Sequence, residues 1–191
     1  MLETERLLMR PLVESDVDEI FAMRSDEDIM RFIREPQGRD ESFDWIKLVS
    51  GRWHNDKLGF CAVIEKEANK FLGWCGIWRL KETGEMEIGY AIDKAYWGKG
   101  FATEAAEKFM QYAFRELNAE KLVAVARPEN MASRRVMEKL GMQFVKTDTF
   151  YEQTLVQYAI AKEDFLTQRR KGAKTQRKFY KKFGELWESA E

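Results

Sequence analysis

Ten consecutive residues, Tyr96-Trp97-Gly98-Lys99-Gly100-Phe101-Ala102-Thr103-Glu104-Ala105, place two glycines directly ahead of an apolar helical stripe. Glycine lets a backbone turn sharply and lets a ligand come close, because no Cβ stands in the way. The first N–H groups of a helix have no partner inside it and carry the positive end of its dipole. A strand, a glycine turn and a helix N-terminus in series therefore make a site for an anion, most naturally a pyrophosphate. A G-x-G turn before a helix also serves as a plain tight connection, so the loop alone leaves both readings open. No G-x-x-x-x-G-K-[ST] run occurs, which excludes a Walker loop. A dinucleotide fingerprint would sit early in a parallel βαβ unit and carry a later third glycine, which disfavours a nicotinamide cofactor.

The other reactive side chains narrow the chemistry further. His54 is the single histidine, so a histidine-rich metal site lacks ligands and no metal is expected. Its place at the end of a helix suits a surface cation complementing the dipole. Cys61 and Cys75 are too few for a disulfide framework and lie in apolar segments, which reads as buried, reduced thiols in a cytoplasmic protein. The opening Met1-Leu2-Glu3-Thr4-Glu5 is acidic and has no apolar run, so no secretory signal is expected. A membrane span is not expected either.

These residues need elements to hold them. Arg6 to Leu12 reads as a first strand, and Ser15 with Asp18 as a capping box opening a helix through Ile20, Phe21 and Met23. A short helical piece follows over Asp26 to Phe32, and a longer helix over Asp40 to about Asn55. From Leu58 the hydrophobic period changes from helical to alternating. Gly59 to Ile64, Phe71 to Leu80 and Glu85 to Ile92 then form an antiparallel meander. Phe101 to Leu117 is a helix, Leu122 to Ala126 a strand, and Asn130 to Leu140 a helix stopped by Gly141. Phe144 to Tyr151 and Leu155 to Ala161 close with a hairpin. Helices thus interrupt a mostly antiparallel sheet of about seven strands flanked by about four helices, an α+β fold.

Composition agrees with a globular domain, and charge adds an asymmetry. Lys and Arg number 32 against 33 Asp and Glu, a net charge of −1. Residues 166–184 nevertheless hold eight basic side chains and no acidic one, which leaves about −9 on the rest. Phe179, Phe183, Leu186 and Trp187 fall on one helical face. We expect a core domain over 1–165 and a basic amphipathic extension over 166–191. The extension packs on its own domain or a homodimer mate, or contacts RNA such as ribosomal RNA through phosphate neutralisation.

Between Arg6 and Phe165 the sequence resembles the GNAT acetyltransferases. The resemblance rests on Glu87-Ile88-Gly89-Tyr90, on the Gly98–Ala105 run and on Asn130-Met131-Ala132-Ser133. The family's Q/R-x-x-G-x-G/A loop maps onto Ala95 to Gly100, with Ala95 where an Arg or Gln is usual. Arg6-Leu7-Leu8-Met9-Arg10-Pro11-Leu12 looks like the branch that acetylates N-terminal amines of ribosomal proteins (RimJ/RimL-like), which also holds small-amine and antibiotic acetyltransferases. The resemblance implies acetyl-CoA as cosubstrate and direct transfer to a primary amine in a ternary complex. It implies coenzyme contacts from Tyr90, Ile92, Trp97, Gly98, Lys99, Gly100, Phe101, Ala102, Thr103, Asn130, Ser133 and Arg135. Glu87 would be the catalytic base, often through water, with Glu85 as its neighbour on the same strand face. The tyrosine that many members place seven residues after the asparagine, as proton donor to the thiolate, is Met137 here. Ser133 is left as the candidate to assist the leaving thiolate. Three other readings stay open: a polyamine, amino-acid or antibiotic acetyltransferase, an idle acyl-CoA-binding module, and a ribosome-associated adaptor working through its tail.

Overall fold

The switch of hydrophobic period near Leu58 is where the chain passes from helices to strands. The computed structural model describes residues 1–168. β1 (Leu2–Glu3) and β2 (Leu7–Pro11) lead into a 3-10 turn at Glu14–Asp16 and then α1 (Val17–Arg24), α2 (Glu27–Met30) and α3 (Arg39–Asp56). β3 (Gly59–Glu65), β4 (Lys70–Arg79) and β5 (Met86–Ile92) make the meander. α4 (Phe101–Arg115), β6 (Lys121–Ala126), α5 (Met131–Lys139), β7 (Gln143–Phe150) and β8 (Gln153–Ala161) complete the fold.

One eight-stranded sheet runs in the order β1-β2-β3-β4-β5-β6-β8-β7. Every neighbouring pair is antiparallel except β5 and β6. The described residues thus hold eight strands where about seven were expected, and six α-helices, counting one that opens at Lys162, where about four were. The additional strand is β1, which pairs Leu2 with Met9 and Glu3 with Leu8. Two residues are too short to show a period.

Alternation along the strands sorts the core into two layers. Leu7, Val63, Ile77, Ile88 and Ile92 pack against α4 and α5. Leu12, Ala62, Ile64, Trp74 and Ala91 pack against α1 to α3. α4 presents Phe101, Ala105, Phe109, Ala113 and Phe114 to the first layer, all buried. Each buried phenylalanine contributes about 1.5–3 kcal/mol through apolar area alone. Phe165, near the end of the described chain, is tied to α4 by its ring, 5.1 Å from that of Phe114.

One local expectation is corrected. Ser15 does not cap α1. Asp16 anchors that corner instead, taking the Val13 N–H at 2.9 Å and an ion pair from Arg10 at 2.6 Å. A buried carboxylate paired with a guanidinium gains more there than as a simple cap. Trp74 is buried core and Trp78 stacks on Phe60. Gly141 follows α5 with φ of 79°, the left-handed cap expected. Cys61 and Cys75 are free, buried and directly opposite one another on β3 and β4. Burial pushes the Cys61 thiol up to about 12.

The basic run from Arg169 onward and the helical face of Phe179, Phe183, Leu186 and Trp187 lie outside the described residues. No helix among the described residues is long and apolar enough to cross a membrane.

Candidate active site

The glycine loop is built as a backbone cradle. After Ile92, Asp93 accepts the Ala95 N–H at 2.9 Å and starts a 3-10 turn at Lys94–Tyr96. Trp97, half exposed, returns its indole N–H to the Ile92 carbonyl at 2.6 Å. Gly98 and Gly100 then adopt φ of 76° and 82°, the left-handed region that strains any side chain. The first intrahelical bond runs from the Glu104 N–H to the Gly100 carbonyl at 3.0 Å. The N–H groups of Phe101, Ala102 and Thr103 therefore precede the helical ladder. No side chain caps Gly100, and a Cβ on Gly98 would meet nothing within 4 Å. Open space, unladdered donors and a helix dipole are what a pyrophosphate requires.

Arg6, read from sequence only as the start of a strand, also belongs to this cradle. Its Nη1 donates to the Lys99 carbonyl at 3.2 Å, and its Nε and Nη2 bond Glu104 at 2.7 and 2.5 Å. Thr4 donates to the same carboxylate. The guanidinium also lies 4.4 Å from the Phe101 ring centroid. Its positive charge stands at the loop that Ala95 leaves without an Arg or Gln.

A slot leads inward from the cradle. β5 and β6 are parallel, yet they register at one position, Glu87 opposite Val123. Beyond it the strands diverge, β5 running on to Ile92 and β6 to Ala126. The facing backbone edges are left for an extended ligand with amide groups, which can pair with them as a strand would. Glu87 stands at the closed end, and the glycine loop follows the open end of β5. The five steps from Glu87 to Ile92 span about 17 Å.

Glu87 shares its sheet face with Ala91, on the side of α1 to α3, while Ile88 and Ile92 face α4. Its carboxylate is half-buried and accepts one hydrogen bond, from the Tyr151 hydroxyl at 2.5 Å. Desolvation pushes it up to about 7, against the pull of that hydrogen bond and with a further push from Glu82. Glu85 is differently placed. It forms an ion pair with Lys121 and takes a hydrogen bond from Gln157 at 3.2 Å, and these hold it below the usual carboxylate range. A carboxylate near 7 suits proton transfer at neutral pH, and one held low by a salt bridge does not.

Tyr151 is the partner the sequence did not reveal. It sits in the turn between β7 and β8 with φ of 50°. Its N–H donates to Glu82 at 2.7 Å, so the hairpin tip is fastened to the β4–β5 turn while its ring reaches Glu87. The contact spans 64 residues, and no local pattern encodes it.

The first turn of α5 closes the other wall. Asn130 caps the helix, its Oδ1 taking the Ser133 N–H at 3.0 Å. The Tyr90 hydroxyl lies 3.2 Å from Ser133 Oγ and 3.1 Å from its carbonyl, linking β5 to α5. Burial pushes Tyr90 well above the ordinary tyrosine range, so it remains a hydroxyl. Met137 is buried in the core. Arg135 is exposed, and His54 is exposed with Nδ1 2.9 Å from the Ser50 carbonyl. The structure thus gathers Glu87, Tyr90, Asn130 and Ser133 around one slot with the glycine loop beyond. His54 and Glu85 take no part in it. Among the described residues no group of three or more His, Cys, Asp or Glu could hold a metal ion.

Known proteins are similar to this chain in sequence and in fold. A family model described as acetyltransferase (GNAT) domain matches residues 6–143. The chain is 31% identical over 145 residues to p20, an uncharacterized N-acetyltransferase of Bacillus licheniformis, covering 74% of this chain and 82% of that one. A solved GNAT-family acetyltransferase from Bacillus anthracis superposes with a TM-score of 0.74 at 27% identity, covering 85% of this chain and 98% of the other. The fold of a Vibrio cholerae spermidine N-acetyltransferase, solved with CoA and spermine, is also similar. Its TM-score is 0.70 at 21% identity, over 85% and 99% of the two chains.

Proposed function

We propose a mechanism from one premise: the chain belongs to the GNAT acetyltransferase family and is an acetyl-CoA-dependent N-acetyltransferase. The acetyl group passes directly to a primary amine within a ternary complex, and the favoured acceptor is an α-amine at a peptide or protein N-terminus. The observation that carries the reading is the divergence of β5 and β6 beyond Glu87, with the glycine loop following the open end.

The residues divide the work as follows. The donors that precede the α4 ladder, with Gly98, Lys99 and Gly100, hold the diphosphate. Tyr90, Ile92, Asn130 and Ser133 line the path of the acyl-bearing arm. Glu87 takes a proton from the ammonium form of the acceptor, directly or through water. The freed nitrogen attacks the thioester carbon, the tetrahedral adduct collapses, and the carbon–sulfur bond breaks to release thiolate, the second proton of the nitrogen passing through water to that thiolate or to solvent. The hydroxyl pair of Tyr90 and Ser133 offers hydrogen bonds to that sulfur in place of the tyrosine missing at Met137. Neither hydroxyl is acidic enough to hand over its proton readily.

The pKa values favour the acceptor named. A base near 7 lies within about one unit of an α-amine at roughly 7.7–8.0, and more than three below a lysine amine at roughly 10.4. The resemblance of the opening segment to enzymes acting on ribosomal-protein N-termini points the same way.

Calorimetric titration with CoA and a thiol-release assay over N-terminal peptides, lysine, polyamines and aminoglycosides test this. Peptides should be turned over at neutral pH with the highest kcat/KM. Tight CoA binding without thiol release from any amine would leave an idle acyl-CoA-binding module instead.

A further inference from the structure

Among the described residues, two buried guanidinium nitrogens have no hydrogen-bond partner, Nε of Arg24 and Nε of Arg127. Arg24 is otherwise accommodated. Gln37 accepts from its Nη2, and its charge lies 4.4 Å from the Trp45 ring centroid. The Arg127 side chain has no ion pair, ring contact or hydrogen bond among the described residues, its backbone carbonyl alone accepting the Asn130 N–H at 2.9 Å. A half-buried cation left in that state is costly unless an anion completes it.

Its surroundings are open. Arg127, Pro128, Glu129, Gln153 and Thr154 line a cavity of about 330 Å³ at the end of β6. Along β6, Leu122, Ala124 and Ala126 face α4 and α5, whereas Val123 and Val125 meet Phe150, Leu155 and Tyr151. Position 127 continues the second set, so Arg127 stands on the sheet face that carries Glu87 and Tyr151. It lies four residues beyond Val123, which registers with Glu87, a separation of about 13 Å along the strand. On the facing segment between α2 and α3, Arg34 is near enough for its charge to act on the Tyr151 hydroxyl. Glu129 is exposed at the rim and forms no ion pair with Arg127.

From this placement we infer that the Arg127 cavity is an acceptor subsite for a carboxylate, held by the planar guanidinium with Gln153 and Thr154 beside it. The inference rests on the N-acetyltransferase reading above and names its substrate class. With the amine at Glu87, the carboxylate lies on the order of 10 Å away, two or three extended residues into a peptide. The acceptor is a peptide N-terminus whose second or third residue is acidic. A polycation does not fit.

The test compares three tetrapeptide amides, Ala-Glu-Glu-Ala, Ala-Gln-Gln-Ala and Ala-Lys-Lys-Ala, on the full chain with acetyl-CoA. The acidic peptide should have a KM at least about tenfold below the neutral one, the scale of a charge-assisted hydrogen bond. Arg127→Gln should bring that ratio close to one, while Arg127→Lys keeps part of it. CoA titration of each variant verifies that it is folded. Equal KM values for the three peptides in the wild type, or a ratio unmoved by Arg127→Gln, would overturn the subsite and leave the acetyltransferase reading intact. So would a loss of CoA affinity in Arg127→Gln with the ratio preserved, which would assign the arginine to the coenzyme. If no amine is acetylated, the functional reading fails on its own. Calorimetric binding of the acidic and neutral peptides to the CoA complex then decides the subsite separately.

Discussion

Replacing Tyr151 with phenylalanine removes one hydroxyl and, with it, the one hydrogen bond that the Glu87 carboxylate accepts among the described residues. Burial, with a smaller push from Glu82, drives that carboxylate upward, and the tyrosine holds it back at about 7. A hydrogen bond to a charged acceptor contributes about 1.5–3 kcal/mol, and one pH unit corresponds to about 1.36 kcal/mol. Without the donor, Glu87 should titrate about one to two units higher, near 8–9. At pH 7 the ionised fraction would fall from about one half to between roughly 1 and 10%, a loss of about five- to fifty-fold in rate. The assay is thiol release from acetyl-CoA with a saturating peptide acceptor, run from pH 6 to 10 on both proteins. The acceptor's own ionisation is common to the two, so a displacement of the acid limb belongs to the enzyme. Tyr151→Phe should be slow at neutral pH and recover most of its rate at high pH. Superimposable profiles, or a uniform loss at every pH, would refute the assignment of Tyr151 to the ionisation of Glu87.

Glu87→Gln should abolish most turnover at pH 7 while leaving CoA affinity within about twofold, read by calorimetry. The same variant carries a stability signature. The folded pKa of Glu87 lies above its ordinary 4.5, so below pH 4.5 both states are protonated and the carboxyl costs nothing. As pH rises from 4.5 to 7 the unfolded chain loses a proton that the folded one keeps, and wild-type stability falls. Glu87→Gln should therefore gain on the wild type across that window by up to about 3 kcal/mol and hold the gain above pH 7, measured by denaturant unfolding. A constant difference at all pH values would count against a desolvated carboxylate. Gly100→Ala places a side chain at φ of 82°, costing roughly 1–2 kcal/mol, and should lower Tm by several degrees and weaken CoA by at least about tenfold. An unchanged affinity would remove the loop from the coenzyme site. Asn130→Ala loses the α5 cap, a cost of about 1 kcal/mol, and should raise KM for acetyl-CoA, while an effect on stability alone would make it a cap and nothing else.

Local physics made much of this molecule readable. The shift from a period of 3.6 to one of 2 near Leu58 located the meander, and glycines at 98, 100 and 141 marked backbone turns that only their φ values explain. Alternation placed Glu87 and Ala91 on one face of β5 before any contact was known. What escaped was set by distant pairings. Tyr151 reaches Glu87 over 64 positions, Arg6 reaches Glu104 over 98, and Arg127 is distinguished by what it lacks, which no sequence displays. The divergence of β5 and β6 was equally hidden, because each strand alone carries an ordinary pattern.

That divergence has a bearing on the lifetime of the protein. A sheet whose central strands share one rung has little holding its halves together there, and the β6 amides that point into the gap, every second one because the others face β8, should exchange with deuterium readily in the free chain. In the binding mode proposed above a bound cosubstrate fills the missing rungs, and by mass action a hundredfold excess over its dissociation constant adds about 2.7 kcal/mol to the folded state. Resistance to heat and proteolysis is then tied to the supply of the molecule the enzyme consumes.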